Sequence, residues 1–195
     1  LNASGYGSWP YIIAVDLNDD NIVEYGSDSI NVEFGNTDDS ATLELTNRNP
    51  AALAEVHLTI SDPALNIDPT GVDIWEFDLS ASAATPAVAF ANNGSTNTDL
   101  TATILGQMGC VENCRLSSDG ESVLATGANT VDVVTMTETG SNTGVFESFD
   151  VNGDAQFTTT AEAAADTKIV FSYADETVDM IITYNDAEIT FDAGG

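Results

Sequence analysis

Basic residues are almost missing from this 195-residue chain: Arg48, Arg115 and Lys168 stand against 32 aspartates and glutamates, for a formal charge of −29 with histidine neutral. Three cations cannot neutralise that surplus by ion pairing, so ions from solution must do most of it. The Debye length is about 8 Å at physiological ionic strength and about 30 Å at 0.01 M, so repulsion is tolerable in salty water and severe in dilute buffer. The deficit excludes nucleic acid as a partner, because binding phosphates needs a basic surface. It excludes electrostatic attraction to an anionic membrane for the same reason. Long hydrophobic runs are missing too. No stretch approaches eighteen apolar residues, so no transmembrane helix and no direct membrane insertion by this chain are expected.

Catalytic signatures are equally scarce. There is no G-x-S-x-G turn, P-loop, H-E-x-x-H or dinucleotide fingerprint. Few basic groups are available to stabilise an oxyanion or clamp a phosphate. His57, the single histidine, lies in "AEVHLTI" on the face opposite Val56, Leu58 and Ile60 and reads as an exposed strand residue. The chain is therefore expected not to be an enzyme. Cysteine occurs twice, as Cys110 and Cys114 in "GCVENC". In an oxidising compartment a disulfide is the natural reading, closing a short loop worth about 2 kcal/mol. Free thiols and a metal site remain alternatives, although two thiolates are only half a zinc shell.

What is present is apolar material in period two. The hydrophobic fraction of 43% excludes a fully disordered chain. "SINVEFG", "ATLELTN", "EVHLTIS", "TVDVVTMTE", "GVFESFDV", "TKIVFSYA" and "TVDMIITY" alternate apolar with polar and are rich in Thr, Val and Ile. In "VDIWEFDL" the face of Asp73, Trp75, Phe77 and Leu79 is the one expected inside. Turn-forming stretches such as "NTDDS", "SDPALNIDPTG" and "ETGSNTG" separate the runs. The fold expected is all-β, an antiparallel immunoglobulin-like sandwich, with room for an additional N-terminal strand-rich segment. A boundary near "NRNPAALA" divides residues 1–50, strand-rich and acidic, from the sandwich at 51–195. "TTAEAAADTK" has room for one helical turn.

Three acidic loops are candidate cation sites. Calcium takes six to eight oxygens from carboxylates, carbonyls and water, and alternate acids in a tight turn can point several inward. "DLNDDN" offers Asp16, Asn18 and Asp20, with Glu24 further on. "DVNGD" repeats the D-x-N-x-D spacing with Asp150, Asn152 and Asp154. Both depart from the EF-hand, with Asn21 and Ala155 where glycine belongs and the closing acid one step late. "SDPALNIDPTGVD" is the third, through Asp62, Asn66, Asp68 and Asp73, and its two prolines stiffen it. The plain alternative is a set of Asx-rich turns bonded to their own backbone. The excess of acid favours calcium or another divalent cation.

N-x-S/T sequons at Asn2 and Asn93 lie in loop-like surroundings and are glycosylation candidates. The chain opens with Leu1, which is expected to reflect processing or a longer parent chain.

"VHLTISDPALNIDPTGVDIWEF" resembles the strand–acidic loop–strand signature of surface-layer (S-layer) proteins of marine ammonia-oxidising archaea. "VVTMTETGSNTGVFESF" is similar to the T-E-T-G-x-N-T-G-V-F turn that recurs in the same proteins, with Gly140 and Gly144 permitting a tight reversal. The order of the two agrees, as does "TKIVFSYADE" after them, and together they cover about a fifth of the chain. The resemblance implies tandem immunoglobulin-like domains in an acidic extracellular coat. It also implies self-association into a divalent-cation-dependent lattice and enrichment of cations such as ammonium near the cell. Family subunits are several times longer, so this chain is expected to be a fragment or short relative. Two other functions fit the sequence. One is an extracellular filament or pilus subunit joined by donor-strand exchange through "SWPYIIAVD". The other is a secreted carbohydrate-binding or hydrolase domain.

Overall fold

A computed structural model describes residues 21–32, 40–80, 88–92, 98–99, 114–126, 129–130, 133–149 and 152–184. Period-two alternation becomes buried-and-exposed alternation strand by strand. In β6 (Asp73–Asp78) the buried positions are Asp73, Trp75 and Phe77, the face expected inside. The same rule holds in β12 (Val133–Glu138), where Val134, Met136 and Glu138 point inward. It holds again in β15 (Lys168–Tyr173), with Ile169, Phe171 and Tyr173 buried.

Every pairing among the described strands is antiparallel, so the all-β expectation is met. The largest sheet has seven strands. Five of them, besides β6 and β12, are β3 (Thr42–Leu45), β5 (Leu58–Ser61), β7 (Val88–Asn92), β8 (Thr98–Asp99) and β13 (Val145–Glu147). Their order is β3-β5-β13-β12-β6-β7-β8. β3, N-terminal to the expected boundary at residue 50, pairs with β5 as an edge of this sheet. A second sheet of three strands joins β15 to β9 (Leu116–Ser118) and β16 (Glu176–Ile181). A third of four strands runs β11 (Asn129–Thr130), β10 (Leu124–Thr126), β14 (Phe157–Thr159) and β4 (Glu55–Val56).

One apolar cluster fills the space between these sheets. It includes Leu58, Ile60, Trp75, Phe77, Met136 and Phe146 from the large sheet. Phe77 meets Tyr173 edge-on with ring centroids 6.2 Å apart, and Phe157 meets Phe171 at 6.4 Å, so aromatic contacts tie both smaller sheets to the rest. Cys114 is buried and disulfide-bonded, and Cys110, the chain's other cysteine, lies outside the described residues.

Two expectations need correction. His57 is not an exposed strand residue. It sits between β4 and β5, its side chain is 15% exposed, and its ring stacks on Phe149 at 4.2 Å. Its exposure is decided by a residue far away in sequence. The "TTAEAAADTK" segment forms turns instead of helix: Thr160 and Ala164 carbonyls accept from Ala163 and Thr167, and Asp166 takes a left-handed φ of 65°. A run this short cannot offset the cost of helix nucleation.

Phe171 lies at the junction of the two smaller sheets with no exposed surface. Phe171→Ala is expected to lower unfolding free energy by about 3–5 kcal/mol, read from the urea midpoint.

Candidate functional site

β5 and β6 are joined in sequence but not in space. β13 and β12 lie between them in the sheet, so the connection has to cross the end of the β12–β13 hairpin. Residues 62–72 form that crossing strap, and residues 139–144 form the turn beneath it. The two stretches singled out as motifs are thus the two halves of one structure.

Local chemistry shapes the strap. Asp62 caps a 3-10 turn at Pro63–Leu65, its Oδ1 accepting from the Ala64 N–H at 2.8 Å. Asp68 repeats the device before Pro69, its Oδ1 accepting from the Thr70 N–H at 2.9 Å and the Thr70 hydroxyl at 2.6 Å. Both are Asx turns that spend a carboxylate oxygen on backbone two residues ahead. The strap is pinned from below: the Trp75 indole N–H donates to the Leu65 carbonyl at 2.9 Å. The Tyr173 hydroxyl donates to Asp62 Oδ2 at 2.6 Å, reaching from the opposite sheet.

The turn is fastened to the strap by Glu138. Its Oε1 accepts from the Thr143 N–H at 2.8 Å and the Gly144 N–H at 3.0 Å, and its Oε2 accepts from the Asp73 N–H at 3.2 Å. The Asp62 N–H donates to the Gly144 carbonyl at 2.8 Å, and the Asn66 amide donates to Asn142 Oδ1 at 2.8 Å. Gly144 is obligatory here: its φ is +60°, and a Cβ would stand 3.3 Å from the Pro63 Cα.

Asp73 differs from its neighbours. Its Oδ2 accepts from the Ile67 N–H at 2.6 Å and the Asp68 N–H at 3.0 Å, closing the strap on itself. Its Oδ1 is buried with no hydrogen-bond partner, and so is Asn66 Oδ1. Asp73 is wholly buried, and Asp62, Asp68 and Glu138 are each 3% exposed. Four acids are thus buried at one end of the sheet. Burial pushes the Asp73 carboxyl up to about 6 despite the N–H bonds from Asp68 and Ile67, with the charges of Glu138 and Asp68 adding to the rise.

The third acidic loop of the sequence is therefore brought together with a residue the sequence reading passed over, Glu138. Period two places Glu138 on the inward face of β12, and an acid at such a position is the signal that finds it. In the first loop, Asp16, Asn18 and Asp20 lie outside the described residues, and Glu24 is exposed on β1 (Asn21–Tyr25). In the second, Asp150 lies outside them, while Asn152 and Asp154 are exposed on a tight turn closed by the Phe149–Ala155 bridge. The sequons at Asn2 and Asn93 also lie outside. Among the described residues no three histidine, cysteine or carboxylate side chains converge closely enough to hold a metal by themselves. Trp75 is core, with no face left for a sugar.

The sign of the pH effect follows from Asp73. Its folded-state pKa of about 6 lies above the ordinary 3.8, so the folded state binds the proton more tightly. This contribution to stability is full below about 3.8, falls as pH rises, and is lost above about 6. In EDTA, the melting temperature of the wild type relative to Asp73→Asn is expected to rise as pH drops from 7 to 4.5. Differential scanning fluorimetry across that range measures it.

No protein-family model matches the chain and no curated protein matches it.

Proposed function

We propose that this chain is a structural subunit of an extracellular surface layer, an acidic β-built coat held together by divalent cations. The observation that carries the reading is the surface charge. Glu44, Asp119, Asp154, Glu162, Asp175 and Glu176 are exposed carboxylates on a chain whose acids outnumber its bases 32 to 3. Of the basic side chains, Lys168 is already taken by Asp179 at 2.8 Å. Two such faces repel unless cations lie between them, and hard divalent ions with oxygen ligands suit that place. The exposed carboxylates left over would concentrate monovalent cations, ammonium among them, near the cell. The likeness to archaeal S-layer sequences supports the same reading, and so does a fold in which the strap and turn carry those motifs.

Assembly tests it. Calcium added to the full chain at marine ionic strength is expected to give sedimenting assemblies visible by electron microscopy, and EDTA to disperse them. Sodium at equal ionic strength should not replace calcium. Sedimentation that ignores both calcium and chelator would overturn the reading.

A second reading is a filament subunit joined by donor-strand exchange; its donor segment "SWPYIIAVD" lies outside the described residues, and one observation beside it favours the reading. Among the described strands the hairpin of β1 and β2 (Asp28–Val32) pairs with no other, and it exposes Ile22, Val23, Tyr25 and Ile30. Such a hairpin is marginal alone in water. The double variant Ile22→Asp/Ile30→Asp separates the two. Loss of assemblies that survive EDTA supports the filament; calcium-dependent assembly unaffected by the variant supports the coat.

A further inference from the structure

Burying carboxylates without a basic partner is unfavourable unless a proton or a metal takes the partner's place. Asp73 is wholly buried, and no basic side chain is among the groups that act on it. One residue beyond the last pair of the β12–β6 ladder, Thr137 with Ile74, stand Glu138 and Asp73. Like charges facing each other across a sheet destabilise it. The hydrogen bonds that Glu138 and Asp73 accept from backbone come from N–H groups, each of which occupies an oxygen without neutralising its charge.

Two oxygens are left over. Asp73 Oδ1 is buried and unpartnered, and so is Asn66 Oδ1. They belong to the same small unit, because Asp73 Oδ2 takes the N–H of Ile67, the peptide next to Asn66. An orphaned carboxylate oxygen and an orphaned amide oxygen, in a field of further carboxylates, are hard ligands of the kind calcium takes beside backbone carbonyls and water. Because amides, carbonyls and water count as ligands, such a shell does not require three carboxylates.

We propose that a calcium-class divalent cation binds inside the strap, ligated by Asp73 Oδ1 and Asn66 Oδ1, with Asp68 and Glu138 supplying the surrounding negative field. It clamps the β5–β6 strap onto the β12–β13 turn within one molecule. The site is internal, so it stands whether or not the chain forms a coat.

Trp75 reports on it directly, since its indole is bonded to the Leu65 carbonyl of the strap. In a Trp9→Phe background Trp75 is the only indole left. The full chain, stripped with EDTA, dialysed and kept dilute enough to remain monomeric, is titrated with terbium at pH 7. Indole-sensitised terbium emission is expected to saturate and to be displaced by calcium. Asp73→Asn and Asn66→Ala should each weaken apparent affinity by at least about tenfold. Asp154→Asn, on the exposed second loop, should leave it unchanged. Melting adds an independent reading. Calcium should raise the melting temperature of the wild type and not that of Asp73→Asn, which in EDTA should melt no lower than wild type. Equal emission from wild type and both strap variants would overturn the site. A wild-type melting temperature indifferent to calcium would overturn it too. Assembly plays no part in these readouts, so their failure is distinct from failure of the coat.

Discussion

Glu138 is the point on which the geometry of the sheet end depends. Through one carboxylate it holds the last two N–H groups of the turn that leads into β13 and the first N–H of β6. Those strands belong to different hairpins, and the strap that separates β5 from β6 must be laid across the gap between them. An apolar residue at 138 would extend the core by one row but would leave two buried backbone donors, those of Gly144 and Asp73, without their acceptor. Each such donor costs about 1–3 kcal/mol. The acid is therefore the residue that lets a crossover connection lie flat against a packed sheet.

The same choice gathers negative charge where the core is best packed. Phe146 stands opposite Glu138, and Trp75 lies two residues along from Asp73 with no exposed surface. A low-polarity wall strengthens every electrostatic interaction beside it, repulsion included. The surface of the molecule faces a diluted version of the same problem, with carboxylates in excess and salt to screen them. Inside, no salt screens, so the buried charge of Asp73 has to be met by a proton or a cation.

Much of the fold was legible because strand periodicity is a local property. The inward face of β6, including the acid at Asp73, follows from alternation alone, as do the buried faces of β12 and β15. The strap was recognisable as an acidic loop, and Asp62 and Asp68 turned out to be the Asx turns that any Asp-Pro sequence invites. What could not be read were the long-range meetings. Nothing near Asn66 in sequence announces Asn142, 76 positions away. Nothing near His57 announces the ring of Phe149 that covers it. Glu138 obeys the same alternation rule, but it also opens the T-E-T-G turn, and its place in the turn masks its inward position in the sequence.

The position of His57 has a mechanical consequence. Residue 56 pairs with Phe157 in one sheet and residue 58 with Leu45 in another, so a single amino acid separates two different hydrogen-bonded ladders. A tug on either ladder is handed to the other within two peptides, with little slack to absorb it. The sheets cannot slide past one another unless both ladders shear at this hinge together. Under tension the body would hold as one stiff element and then give way at once.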